Sequence, residues 1–273
     1  MTLKIRILGQ YKTGTTALFH LIRQALPADT ALLFEPERFT PEPRDRKRNI
    51  LAKVMLDMPG PQAPNVDYDS FAGFDHTIYV LRDPRDWLIS GTLFLVQQEQ
   101  SLYGCDENLQ AVYDLLRRKE SRPGSISICH ILERIMRMLP GERSLKGLTE
   151  WITQQHRWLF AFEDSLAAYH SFRYEDMIDG RLNGLQSYLG IPLSRRPDVP
   201  AHHEHVIRTR SYGNWRHWFT ERDIRYFKPV FEAYMQRYGY DADWRLADHP
   251  AIPKAHCSAY VKRTVDKKRS LFI

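Results

Sequence analysis

No apolar run in the 273-residue sequence approaches the ~18 residues that a membrane-spanning helix requires, so no transmembrane segment is expected. Cysteine is scarce. Cys105, Cys129 and Cys257 stand far apart with no Cys-x-x-Cys pair, which argues against a disulfide scaffold and against a thiolate zinc site. There is no internal repeat and no long low-complexity segment. Residues 1–9 alternate charge with aliphatics, as a strand does and a signal peptide does not, and a soluble cytoplasmic protein is the expectation. Charge of one sign is also in short supply. The formal excess is only +6, and residues 254–273 supply +5 of it through Lys254, Lys262, Arg263, Lys267, Lys268 and Arg269 against Asp266. The remaining body is nearly neutral, so bulk charge does not select nucleic acid as a partner.

What the sequence does contain is 43% hydrophobic and 26% charged residues, an ordinary globular balance. One domain is expected over 1–250, with a helical insertion near 100–170. Residues 251–273 read as a basic tail without clear periodicity, either solvated or available to an acidic partner or membrane surface. Short strands are expected at 4–8, 31–34, 50–56 and 77–81, apolar nearly throughout and separated by helices or loops, with a short fifth strand at 171–174. Such strands indicate a mostly parallel sheet covered by helices on both faces, an α/β architecture. Helices are expected at 15–26, 145–169 and 178–189. A further one follows the capping box Thr220-Glu221-Arg222-Asp223, with Pro229 expected to kink or split it. Two long loops, 36–48 and 59–69, interrupt the pattern and are candidates for substrate contact.

Three stretches carry anion-binding chemistry. The first is Gly9-Gln10-Tyr11-Lys12-Thr13-Gly14-Thr15-Thr16, between the first strand and the first helix. Its glycines permit a tight turn, and the helix N-terminus directs a partial positive charge at the same point. The spacing is that of a phosphate loop. However, Lys12 lies inside the loop and Thr15-Thr16 follow the second glycine, so the usual arrangement for Mg²⁺ and a γ-phosphate is missing. The second is Arg82-Asp83-Pro84-Arg85-Asp86, with Ser90 further on; Asp83 suits a helix cap and Pro84 the first helical position. The third, Arg208-Thr209-Arg210-Ser211-Tyr212-Gly213-Asn214-Trp215-Arg216, sets arginines beside glycine and an aromatic. Taken singly, the first also reads as a glycine-containing turn with a surface lysine, the second as a capped helix with surface charges, and the third as a solvated basic loop.

Taken together and in order, they resemble the sulfotransferases that use 3′-phosphoadenosine-5′-phosphosulfate (PAPS). The family's Lys-Ser/Thr-Gly-Thr-Thr stands as Lys12 to Thr16. Its Arg-x-Pro-x-Asp-x3-Ser stands as Arg82, Pro84, Asp86 and Ser90, and its basic Gly-x-Trp-Lys/Arg stretch as Arg208 through Arg216, followed by Phe219-Thr220. Tyr174-Glu175-Asp176 and Tyr188 to Pro192 fall in the family's order, so the resemblance spans 4 to about 245. It implies a three-layer P-loop fold. Lys12, Thr13, Gly14, Thr15 and Thr16 would hold the 5′-phosphosulfate, and Arg82, Ser90, Arg208 and Arg210 the 3′-phosphate, with Tyr174 also at the donor. It implies transfer of the sulfuryl group to an acceptor hydroxyl with release of adenosine 3′,5′-bisphosphate (PAP), and no metal.

Two departures matter. Ala17 replaces the Trp of the cytosolic members, and Lys53-Val54-Met55 stands where those members carry a catalytic His. Phe34-Glu35-Pro36 looks like the Phe-Glu-Pro of carbohydrate and bacterial sulfotransferases. Glu35 is therefore the candidate base, Asp57 the reserve, and a glycan or glycolipid the implied acceptor. A simpler role for Glu35 is an ion pair with Arg38. His202, His203 and His205 match no standard zinc spacing and read as a lid before the third motif. The rival functions are a P-loop kinase using Mg-ATP and a nucleotide-binding protein without turnover.

Overall fold

A computed structural model describes residues 2–60 and 66–270. Position 1 of the N-terminal strand reading, 61–65 of the 59–69 loop and 271–273 of the tail lie outside the described residues. The strands are β1 (Lys4–Gly9), β2 (Ala31–Phe34), β3 (Ile50–Met55), β4 (His76–Leu81) and β5 (His170–Arg173). They form one sheet in the order β2-β3-β1-β4-β5, with every pairing parallel. The fold is α/β, a parallel sheet flanked by helices. The helices are α1 (Thr15–Arg23), α2 (Pro84–Gln98), α3 (Gln100–Tyr103), α4 (Asp106–Ser121), α5 (Ile128–Met136) and α6 (Leu145–Asp164). After β5 come α7 (Tyr174–Asp179), α8 (Asn183–Leu189), α9 (Ala201–Glu204), α10 (Trp215–Trp218), α11 (Glu221–Tyr238) and α12 (Ser258–Arg269).

Contacts group these elements into two compact units. The first runs to Arg82 and resumes over Arg157–Pro200; it holds the whole sheet. Its core joins Ile5, Ile7, Leu51 and Ile78 of the strands to Leu18, Leu21 and Ile22 of α1 and to Leu185 and Leu189 of α8, all buried. β3 and β4 are buried nearly throughout, which explains why they read as near-continuous hydrophobic runs, whereas β2 at the edge leaves Leu32 and Phe34 exposed. The register pairs Gly9 with Met55 and Phe34 with Lys53, so β1, β2 and β3 end along one edge of the sheet. That edge places the first loop, Glu35 and Asp57.

The expected helix over 178–189 is two helices, because Gly180 adopts a left-handed conformation (φ 70°) that ends α7 before α8 begins.

The second unit comprises Asp83–His156 and the chain from Ala201 onward. Its centre is α2, buried over most of its length. α2 begins as the sequence suggests: the Asp83 carboxylate accepts the Arg85 N–H at 2.9 Å, and Pro84 occupies the first helical position. α11 stays continuous through Pro229. The proline is exposed, and the buried rings of Phe227 and Phe231 stack 5.6 Å apart on either side of it, holding both halves to one core. The stretch read as an aperiodic tail contains α12, whose Tyr260, Val261, Thr264 and Val265 are buried and which packs against α2 and α4. Its apolar positions are few and set among five cations, which hides the amphipathic pattern.

Candidate active site

The first loop closes on itself. Thr13 donates from its N–H (3.3 Å) and from Oγ1 (2.6 Å) to the Gln10 carbonyl. Gly9 admits no side chain, since a Cβ would lie 2.7 Å from Thr15 Cγ2 and 2.9 Å from Thr13 Oγ1. Gly14 is required twice over. Its φ of 94° suits glycine, and a Cβ there would lie 2.4 Å from Cδ2 of Tyr174. Lys12 is also left-handed, at φ 63°. α1 then starts with no side-chain cap and no acidic residue in its first turn. A nine-residue helix opening this way presents backbone N–H groups and the positive end of its dipole beside a lysine, the chemistry of an anion site.

Arg82 follows β4 and belongs to the same unit. It is buried, donates from Nη1 to the Lys12 carbonyl at 2.7 Å, and lays its guanidinium 4.4 Å over the Tyr174 ring. Its Nε has no hydrogen-bond partner among the described residues. The structure thus brings Lys12 to Thr16, Arg82 and Tyr174 into one group.

At the same sheet edge, Glu35 sits at φ 55°, donates its N–H to the Lys53 carbonyl at 2.8 Å, and takes a hydrogen bond from the Lys53 ammonium through Oε1. The Lys53 side chain is 3% exposed and that of Glu35 48%. The Lys53 Nζ lies 4.2 Å from the Phe34 ring centroid. Burial pulls the ammonium below the usual lysine range, and the Glu35 carboxylate partly restores it. The simpler pairing of Glu35 with Arg38 is not the one formed; Arg38 instead faces Asp67 at 3.8 Å. Asp57 is pushed above the ordinary carboxyl range by burial and, secondarily, by Glu35. Beside it, burial raises the Tyr68 phenol to about 12; that hydroxyl donates to the Met55 carbonyl at 3.0 Å and accepts the Asp57 N–H at 3.3 Å. Burial, with Asp57 adding to it, also raises the Tyr11 phenol.

In the second unit, Ser90 is buried two turns into α2, and Arg208 is buried as well. Arg210 differs: it is largely exposed and faces Glu204 at 3.6 Å. The motif aspartate, for which sequence reasoning gave no role, is the anchor of this half. Asp86 is fully buried and accepts the backbone N–H groups of Gly213 and of Trp215, the latter at 3.0 Å. Arg85 makes a buried ion pair with Asp83 at 2.7 Å and lies over the Trp215 ring at 4.1 Å. The second and third motifs are therefore joined through Asp86 and Arg85. α9 carries His202 and His203 with ring centroids 4.2 Å apart. Among the described residues, no group of three or more His, Cys, Asp or Glu side chains is placed to hold a metal ion. No described helix is long and apolar enough to cross a membrane.

No protein-family model matches the chain, and no curated protein matches it. Among solved structures it is similar to mouse sulfotransferase SULT7A1 complexed with PAP, at 14% identity over 86% of this chain and 85% of that one, with a TM-score of 0.48. It is also similar to retinol dehydratase in complex with retinol and PAP (14% identity, 84% and 81% of the two chains, TM-score 0.41). A third is retinol dehydratase in complex with androsterone and inactive cofactor PAP (15%, 90% and 83%, TM-score 0.40).

Proposed function

We propose that this chain is a sulfotransferase that moves a sulfuryl group from PAPS to an acceptor hydroxyl. The observation that carries the reading is the uncapped N-terminus of α1, framed by Gly9 and Gly14 with Lys12 in the loop, at the sheet edge that also carries Glu35. The donor has an anionic group at each end, and the three motifs supply cations and N–H groups for both. Lys12 and the backbone from Thr13 to Thr16 hold the 5′-phosphosulfate. Arg82, Ser90 and Arg208 hold the 3′-phosphate, with exposed Arg210 as a further contact, and Tyr174 belongs to the donor site. The buried Nε of Arg82, which has no hydrogen-bond partner among the described residues, suits an anionic oxygen, because an unmet guanidinium N–H in a buried position is costly.

Glu35 accepts the acceptor's proton as the acceptor oxygen bonds to sulfur. Lys12 offsets the charge that grows on the bridging oxygen as the bond from sulfur to the 5′-phosphate breaks. The products are a sulfate ester, PAP and a proton held by Glu35. No step calls on a metal. The acceptor is a glycan or glycolipid and the site of action the cytoplasm, readings that rest on Phe34-Glu35-Pro36 and on sequence character.

The test has two stages. Thermal unfolding is followed with PAP and separately with Mg-ATP, and PAP is expected to stabilise the protein. Transfer from labelled PAPS to a panel of hydroxyl acceptors is then measured for the unmodified protein and for Lys12→Ala, which is expected to abolish it. Stabilisation by Mg-ATP alone would overturn the reading in favour of a kinase. PAP binding without turnover on any acceptor would leave a nucleotide-binding protein.

A further inference from the structure

We infer that Arg82 is a positioning residue for the first loop, governing how the 5′ end of the donor is held in addition to any contact with the 3′-phosphate. This rests on the reading that the loop binds the donor's 5′ end. The backbone of the loop is held in conformations that need support. Lys12 at φ 63° is a non-glycine residue in the left-handed region, a strained conformation that persists only where the surrounding structure holds it. One support is internal, through Thr13 and the Gln10 carbonyl. The other comes from 70 positions away: Arg82 Nη1 on the carbonyl of Lys12 itself.

A single flexible cation would be a poor clamp, but this one is also held against an aromatic ring. Its guanidinium plane lies over Tyr174, and the ring of Tyr174 fills the space that a side chain at position 14 would occupy. Loop, arginine and tyrosine thus form a stack in which moving Arg82 releases Lys12 directly and Gly14 through Tyr174. Arg82 is buried, so water is a poor replacement for it. The consequence distinguishes two roles. An arginine that serves only the 3′-phosphate has no effect on a ligand lacking that group. An arginine that shapes the loop weakens any ligand bound through its 5′-phosphate.

Affinities for PAP and for AMP, which lacks the 3′-phosphate, are measured by calorimetry in the unmodified protein, Arg82→Met and Arg82→Lys. Amide hydrogen exchange over residues 10–16 is followed in the ligand-free proteins. The inference expects Arg82→Met to lose AMP affinity by about tenfold, the weight of one charge-assisted hydrogen bond, and to exchange faster across the loop. Arg82→Lys keeps the buried charge but not the fork. It covers the case in which the methionine variant does not fold, and is also expected to lose AMP affinity. Loss of PAP affinity with AMP affinity unchanged would overturn the inference, as would unchanged exchange over the loop. If the unmodified protein binds neither nucleotide, the donor reading fails, and the exchange measurement still decides for or against the clamp.

Discussion

The ammonium of Lys53, buried at the end of β3, is hydrogen-bonded to the half-exposed carboxylate of Glu35, which follows β2. The pair exists because Phe34 and Lys53 are register partners, so the first residue after β2 emerges beside the lysine's own carbonyl. One oxygen of the carboxylate is tethered to a fixed cation. In the proposed reaction that tether orients the base.

Glu35→Gln is expected to lower kcat by roughly two to four decades with little change in PAP affinity. Lys53→Met, similar in length and uncharged, is expected to lower kcat by at least about tenfold but by no more than Glu35→Gln does. If the lysine acts through the carboxylate, the double variant matches Glu35→Gln alone, a strongly non-additive cycle. Additive losses would mean that Lys53 serves the fold and not the base. Unchanged turnover in Glu35→Gln would move attention to Asp57.

Asp86 gathers the backbone N–H groups of Gly213 and Trp215 with a carboxylate that has no access to water. Asp86→Asn keeps the shape but turns one acceptor into a donor, leaving a buried N–H unmet at a cost of about 1–3 kcal/mol. Because Arg208 lies five residues before Gly213, PAP affinity is expected to fall together with stability. Wild-type PAP affinity in a destabilised Asp86→Asn would separate the anchor from the donor site.

His156 offers a pH test that does not depend on function. It is buried against the rings of Tyr234 and Phe231, and burial lowers its pKa to about 4 from 6.5. The folded protein keeps this imidazole neutral where the unfolded chain protonates it. The unfolded state therefore binds more protons between pH 6.5 and 4, and stability falls as pH falls through that window. Above pH 6.5 the residue contributes no pH dependence. The loss reaches about 3 kcal/mol at the acid end. Denaturant midpoints from pH 7 to 4 should therefore decline less steeply in His156→Gln than in the unmodified protein; parallel slopes would sink this account.

The centre of the sheet was legible because β3 and β4 are largely apolar and buried nearly throughout, and the start of α2 because Asp83-Pro84 is a local cap signal. The tight turn from Gly9 to Gly14 was legible for the same reason, since its glycines are close neighbours in the chain. What escaped is non-local. The Lys53–Glu35 pair needs the β2–β3 register, Asp86 finds its partners 127 and 129 positions away, and Arg82 reaches back 70 to Lys12. α12 escaped for a different reason. Val261 and Val265 are its only buried aliphatics, so the pattern is carried by Tyr260 and Thr264, residues that equally suit a surface.

Lys119 tests how firmly the third motif is held. Its side chain is fully buried, and its ammonium donates to the carbonyls of Pro123 (2.5 Å), Ile126 (2.6 Å) and Trp218. Three acceptors meet all three ammonium protons, so the charge is tolerated without a contacting carboxylate. Trp218 closes α10, the helix that begins at Trp215, and the bond therefore ties α4 to the end of that motif. Lys119→Met fills similar volume but strands three carbonyls, and a loss of about 3–5 kcal/mol is expected, read as a lower denaturant midpoint. Hydrogen exchange should quicken over residues 213–219 if the tie is what orders them. A loss below about 1 kcal/mol, with exchange unchanged, would show that the surrounding aromatics, Trp215 on Phe219 and Phe219 on Phe227, hold the segment without the lysine.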